Sequence, residues 1–361
     1  VEKLKAPFPW FGGKSTVADV VWSAFGDVQT YIEPFAGSLA VLLAKPASPD
    51  RTEIVNDKDL FITNFWRAVS FDTEGVAKHA NWPPNECDKH ARAYWLLTEG
   101  TKMLEAVLAK PEGFDAKIAG WWYWVICANI APIMVEKGSW YVDGDNGWKR
   151  LDRSTGTTQC GQGFSEVTDS RVGIAKSKLG FPHKGVFRVS LFRRACEIAE
   201  IEDDQFVTNE SSQKAILEGL RKLRDRLRWT AVYNGDWSRV VSNSCTKKRT
   251  PTGVFLDPPY DARVGRDRDV YFEDSDGLSG RVRQWCIENG DRPEMRIALC
   301  GYEGEHDMPD SWFCYKWKAN GGMANMGEHR KGNKYRERIW FSPHCLPIEQ
   351  LVSGPMAEAI R

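Results

Sequence analysis

The chain has 361 residues, 42% of them hydrophobic, with 49 Lys and Arg matched by 49 Asp and Glu. That length holds one large α/β domain with a sizeable insertion, or two domains, and no apolar run approaches the ~18 residues that cross a bilayer. Nine cysteines without a Cys-x-x-Cys pair exclude a zinc ribbon and a secreted disulfide framework. The segment Val1-Glu2-Lys3-Leu4-Lys5 lacks the apolar stretch of a signal peptide, so a reduced, cytoplasmic setting is expected.

Along the chain, Tyr31-Ile32-Glu33-Pro34 reads as a short strand running into a turn, with Leu39, Val41, Leu42 and Leu43 on the helix that follows. Glu53-Ile54-Val55-Asn56-Asp57 is a second strand, and Phe61, Ile62, Phe65 and Val69 then recur at helical spacing. Two strand-to-helix units in succession predict a parallel sheet covered by helices. From about residue 85 to 205 the pattern changes. A helix at Trp121-Trp122-Tyr123-Trp124-Val125-Ile126 gives way to a Gly-rich, basic stretch of weak periodicity, the kind of long segment that usually serves a function. Between Lys149 and Arg194 ten basic residues face three acidic ones, and Arg330, Lys331, Lys334, Arg336 and Arg338 form a second basic cluster. Each is either a solvated face or a surface for a polyanion. The 16 tryptophans suit base stacking as well as core packing. Beyond 205 the apolar stripe Ile216, Leu217, Leu220, Leu223, Leu227 is the core face of a helix. Strands are predicted at 230–233, 254–256, 296–299, 313–317 and 339–341. The expected organisation is one sheet domain built from 1–84 and 206–361, interrupted by a lobe over 85–205.

The stretch Gly253-Val254-Phe255-Leu256-Asp257-Pro258-Pro259-Tyr260 carries the most chemistry. A buried strand ends in an acid, two prolines that fix φ and forbid its continuation, and an aromatic ring. Such a turn can hold an exocyclic amine between the Asp257 carboxylate and the Pro258 carbonyl, with Tyr260 stacked on the ring that bears it. Gly12-Gly13-Lys14-Ser15 is not a phosphate loop, because the glycine required at position 8 is Phe8. No Pro-Cys dipeptide offers the nucleophile of C5-cytosine chemistry, and the six histidines show no paired ligand spacing, so no metal is expected.

Asp257-Pro258-Pro259-Tyr260 resembles the catalytic tetrapeptide of amino-methyltransferases that act on DNA. Pro9-Trp10-Phe11-Gly12-Gly13-Lys14 is similar to the N-terminal segment of the Dam-like (D12 class) adenine methyltransferases, and Glu33-Pro34-Phe35-Ala36-Gly37-Ser38 to their cofactor loop. Asn56-Asp57 and Gly235-Asp236-Trp237 match two further elements, and the segments around 299–306 and 336–343 resemble phage-borne and bacterial DNA adenine methylases, including those of restriction–modification systems. The resemblance implies a Rossmann-like α/β sheet dependent on S-adenosylmethionine, with S-adenosylhomocysteine as product and an inserted target-recognition lobe. It further implies methylation of adenine N6 on a base flipped from duplex DNA, by a monomer without a membrane partner in a bacterial or phage-infected cell.

On that basis Asp257, Pro258, Pro259 and Tyr260 are the expected catalytic residues. Trp10, Gly13, Lys14, Glu33, Pro34, Phe35, Ala36, Gly37, Ser38, Asp57, Asp236, Trp237 and Asp257 are expected around the cofactor. Asp57 either accepts the ribose hydroxyls or caps a helix, Asp236 accepts from the cofactor's adenine amine, and Lys14 stands near its carboxylate. Ser38 and Leu39 occupy positions where relatives often carry glycine. Lys176, Lys178, Lys184, Arg188, Arg330, Lys331 and Lys334 are the expected DNA contacts. The alternatives are N4-cytosine methylation, whose tetrapeptide usually opens with Ser, RNA or protein-amide methylation, and a catalytically silent DNA-binding module.

Overall fold

The structure, a computed structural model, describes residues 3–10, 13–83, 86–128, 140–142, 148–151, 158–160, 186–200, 209–260, 277–318 and 335–348. The first half runs α1 (Ala18–Phe25), β1 (Thr30–Glu33), α2 (Ala40–Leu43), β2 (Thr52–Asp57), α3 (Leu60–Phe71), α4 (Thr73–Ala80), α5 (Glu86–Trp95), α6 (Thr101–Leu108) and α7 (Ala116–Ala128). Three short strands follow, β3 (Trp140–Val142), β4 (Trp148–Leu151) and β5 (Thr158–Cys160), paired antiparallel as a separate sheet. The second half runs α8 (Val186–Ala199), α9 (Asn209–Leu227), β6 (Thr230–Asn234), α10 (Asn243–Thr246), β7 (Thr252–Leu256), α11 (Leu278–Asn289), β8 (Met295–Tyr302), β9 (Phe313–Lys316) and β10 (Glu337–Phe341).

The main sheet has seven strands in the order β6-β2-β1-β7-β8-β10-β9. Strands β6, β2, β1, β7 and β8 pair parallel, and β10 runs antiparallel to both of its neighbours, β8 and β9. Every main-sheet strand expected from the sequence is present. The mostly parallel, helix-covered sheet is the α/β architecture of the S-adenosylmethionine-dependent methyltransferase fold.

Alternation along the strands explains why both faces are covered. Tyr31, Val55, Phe255, Cys300, Ile339 and Phe341 point into one core, with α1, α3 and α7. Ile32, Ile54, Val254, Leu256, Leu299 and Trp340 point into the other, with α11 and the turn at Trp237. α3 starts where Asp59 Oδ1 accepts from the Phe61 and Ile62 N–H groups, and it buries Phe61, Ile62, Phe65 and Trp66. Phe8 meets Trp122 of α7 edge-to-face at 5.0 Å and Phe65 of α3 at 5.4 Å. Helices α5 to α7 therefore share the core of the main sheet through Ala93, Leu104, Ile118, Trp122 and Tyr123, although they belong to the segment in which the periodicity changes.

Beneath β2 lies a buried charge network. Glu53 Oε1 and Oε2 accept from Arg226 at 3.0 and 2.8 Å, and Oε1 also accepts from Arg51 Nη2 at 2.7 Å. Arg226 reaches on to the Lys45 and Leu42 carbonyls, fastening α9 to the end of α2.

Candidate active site

The carboxyl ends of β1, β2, β6 and β7 open onto one cleft. β2 and β6 lie to one side of β1 and β7 to the other, so the cleft sits where the strand order reverses, the usual ligand position of an open α/β sheet. All thirteen residues expected to hold the cofactor line it, from Trp10 through the 33–38 loop to Asp57, Asp236, Trp237 and Asp257. Asn56, Lys58, Asp59, Leu278 and Arg281 also line it and were not anticipated.

The loop after β1 is shaped by backbone geometry. Gly37 has φ +46°, and a Cβ there would lie 2.5 Å from Trp10 Cδ1. Leu39 takes φ 55° as well, in the left-handed region that glycine occupies at least cost. The Gly37 N–H donates to Asp57 Oδ2 at 2.9 Å, and Asp57 Oδ1 accepts from the Asp59 N–H at 2.9 Å. Asp59, not Asp57, is therefore the cap of α3, and Asp57 is the brace of the loop. Asn56 Nδ2 donates to the Pro34 and Gly235 carbonyls, both at 3.0 Å, tying the ends of β1, β2 and β6 together. Its Oδ1 is buried at the cleft without a hydrogen-bond partner among the described residues.

Asp236 is exposed and accepts from the Ser238 N–H and hydroxyl, which hold its carboxyl below the ordinary range. Trp237 is buried with its ring stacked on Phe35, centroids 6.1 Å apart. Glu33, 3% exposed, accepts from the Tyr31 hydroxyl at 2.8 Å. Burial lifts its carboxyl from 4.5 to about 8.

At the end of β7 the side chains converge differently from the sequence-based picture. The Asp257 side chain keeps 20% of its exposure and borders the cleft, while Lys14 is buried at 3% and places Nζ 2.9 Å from Asp257 Oδ1. Lys14 thus pairs with the acid of the tetrapeptide. Burial works against its charge, but the carboxylates of Asp257 and Glu337 outweigh that and hold the ammonium well above its usual range. The Tyr260 hydroxyl lies 3.2 Å from Asp257 Oδ1 and 2.9 Å from Glu337 Oε2. Its ring is buried edge-to-face against Tyr302, with centroids 4.6 Å apart, rather than lining the cleft. Pro258 is buried and Pro259 borders the cleft. Glu337, 4% exposed at the start of β10, was not anticipated. A signal was present: period-two alternation puts Glu337 on the face of Ile339 and Phe341, an acid on a buried stripe.

Of the expected DNA contacts, Lys176, Lys178, Lys184, Arg330, Lys331 and Lys334 lie outside the described residues, and Arg188 falls within α8 at a position whose side chain is not described. Among the described residues no group of three or more His, Cys, Asp or Glu could hold a metal ion, and no helix is long and apolar enough to cross a membrane.

Residues 10–99, which carry Trp10, Lys14, the 33–38 loop and Asp57, match the family model for D12 class N6 adenine-specific DNA methyltransferase. No curated protein matches the chain. With the cleft at the strand ends and the Asp-Pro-Pro-Tyr corner beside it, residues 10–99 are similar to D12 class N6 adenine-specific DNA methyltransferases, which supports an adenine methyltransferase domain there.

Proposed function

We propose that the chain transfers a methyl group from S-adenosylmethionine to N6 of an adenine turned out of duplex DNA. The observation that carries this reading is that Asp257 borders the same cleft as Gly37 and Asp57. An amine held at Asp257 would then face a donor lying along the ends of β1 and β2. The residues fit such a donor: Gly37 keeps its backbone bare where any Cβ would strike Trp10, and the acids Asp57 and Asp236 line the same cleft. When bound, the donor supplies an activated methyl on a sulfonium.

The chain's own contribution is alignment in a site of low water content. Asp257 and the Pro258 carbonyl hold both amino hydrogens and turn the N6 lone pair outward. Lys14 fixes Asp257 in place. Because N6 is out of reach inside the helix, the base must leave the stack, at a cost of a few kcal/mol. The catalytic unit is 1–84 with 206–361. Within 85–205, helices α5 to α7 buttress the sheet, and the basic stretch beyond them follows the phosphates.

Incubation with methyl-labelled donor and unmethylated genomic duplex DNA, followed by digestion to nucleosides, tests this. Labelled N6-methyldeoxyadenosine is expected. Label in N4-methyldeoxycytidine, or DNA binding with no label at all, overturns it. Asp257→Ala should abolish transfer and leave S-adenosylhomocysteine binding intact.

A further inference from the structure

Asp257, Tyr260 and Glu337 form a hydrogen-bonded row leading away from the cleft. Oδ1 of Asp257 is 3.2 Å from the tyrosine hydroxyl, and that hydroxyl is 2.9 Å from Glu337 Oε2. A phenol carries one proton and can donate to only one carboxylate at a time. The shorter contact assigns that proton to Glu337, so Tyr260 presents a lone pair toward Asp257. The arrangement is complete except for a proton on Asp257.

Methyl transfer to an amine supplies that proton. As the N6 lone pair forms its bond to the methyl carbon, the carbon–sulfur pair stays on the donor's sulfur, and N6 is left with an extra proton and a positive charge. We propose that Glu337 is the terminal acceptor of that proton, received through Asp257 and the Tyr260 hydroxyl. The N6–H bond breaks to Asp257. Asp257 passes its proton to the Tyr260 oxygen as the tyrosine's own proton moves to Glu337 Oε2. Asp257 is again a carboxylate, Tyr260 is again neutral, and Glu337 is a carboxylic acid that later returns its proton to solvent. This rests on the methyl-transfer reading above and extends it to a residue that touches neither base nor donor, so Glu337 is a positioning and proton-accepting residue acting through Tyr260.

The surroundings suit the role. Lys14 Nζ lies 2.9 Å from Asp257 Oδ1 and 3.9 Å from Glu337 Oε2, one fixed cation between two acids. Its charge offsets part of the repulsion between them, and as an ammonium it cannot itself take a proton. From the neighbouring elements Glu337 is faced by Lys14, by Asp257 and Tyr260 beyond β7, and by Cys300, Tyr302 and Glu305 on and after β8. On its own strand Arg338 turns away to Glu303, 2.6 Å distant. Burial raises both the Asp257 and Glu337 carboxyls, with Lys14 opposing, which favours the arrival of one shared proton.

Carboxyl NMR titration of the ligand-free, full-length chain provides the readout independent of turnover. Asp257 and Glu337 should titrate as a coupled pair, and Glu337→Gln should reduce this to one step at lower pH for Asp257. In single turnovers on unmethylated genomic duplex DNA, Glu337→Gln should slow transfer by ~10²-fold, the scale of lost acid–base assistance, and remove the matching acid limb from the pH–rate profile. Binding of S-adenosylhomocysteine should stay within about twofold, since a proton acceptor outside the cleft makes no ground-state contact. Tyr260→Phe should slow transfer equally, and the double variant should be no slower than either, because both break one route. Should Glu337→Gln fail to bind S-adenosylhomocysteine, Tyr260→Phe carries the same expectation alone. A Glu337→Gln rate close to wild type, or losses that multiply in the double variant, overturns the relay. Failure of the wild-type chain itself to label N6 would instead refute the proposed function, and the relay with it.

Discussion

Replacing Gly37 by alanine strikes the cleft where its geometry is least forgiving. The residue sits at φ +46°, a conformation that costs an L residue roughly 1–2 kcal/mol. The new methyl would lie 2.5 Å from Trp10 Cδ1 and 2.7 Å from Nε1, about 1 Å inside normal contact. Displacing a packed indole costs a further ~1–3 kcal/mol. The sum, about 2–5 kcal/mol, divides between the fold and the cleft, because the Gly37 N–H also braces Asp57. If half of it falls on the cleft, the Kd for S-adenosylhomocysteine rises about fivefold to seventyfold. Calorimetric titration measures that part and denaturant unfolding the rest. Gly280→Ala is the control: it lies within α11 with nothing among the described residues inside 4 Å of a new Cβ, so it should gain ~0.5–1 kcal/mol of stability and leave binding alone. An unchanged Kd and unchanged stability in Gly37→Ala would refute the description of the loop.

Glu53→Gln leaves Arg51 and Arg226 buried with weaker compensation and should cost roughly 3–5 kcal/mol in denaturant unfolding; a loss under about 1 kcal/mol would mean that the network is solvated. Glu33 titrates at about 8 in the folded chain against an ordinary 4.5, so its stabilising contribution is full below about 4.5 and is lost as pH rises through about 8. Glu33→Gln should therefore flatten the decline in stability between those limits, and parallel pH curves for the two proteins would contradict the assignment. DNA affinity should fall by about 0.9 log unit per duplex phosphate contact for each log unit of salt, measured by fluorescence anisotropy. A flat response would remove the basic stretch from the interface.

Strong local patterns were legible, and partnerships across the chain were not. All seven strands of the main sheet announced themselves through apolar runs punctuated by Gly, Pro and polar residues, as did α3, α7 and α9. Helix α4, Thr-Glu-Gly-Val-Ala-Lys-His-Ala, buries only Thr73, Val76, Ala77 and Ala80, too slight a stripe to separate from a loop. The sheet formed by β3, β4 and β5 falls in a stretch whose Gly-rich, charged composition obscures alternation. At the site, the β1 loop and the Asp257 corner follow from motif and turn chemistry. The division of labour between Asp57 and Asp59 does not, since two acids separated by one residue read alike until the helix has a direction. The pairing of Lys14 with Asp257, and of Tyr260 with Glu337, joins segments from opposite ends of the sequence through the sheet order, which no spacing rule encodes.

The reversal of β10 has a consequence for biosynthesis. Running against β8, it brings its first residue level with the last residue of that strand, opposite Tyr302. A forward strand in the same slot would have carried Glu337 to the far edge of the sheet. Every described residue lining the cleft lies at or before Arg281, so a ribosome delivers these residues well before Glu337, the carboxylate beside the Tyr260 hydroxyl. On the proposed relay, the capacity to hold a ligand is thus synthesised before the capacity to react, which waits on the last of the described strands.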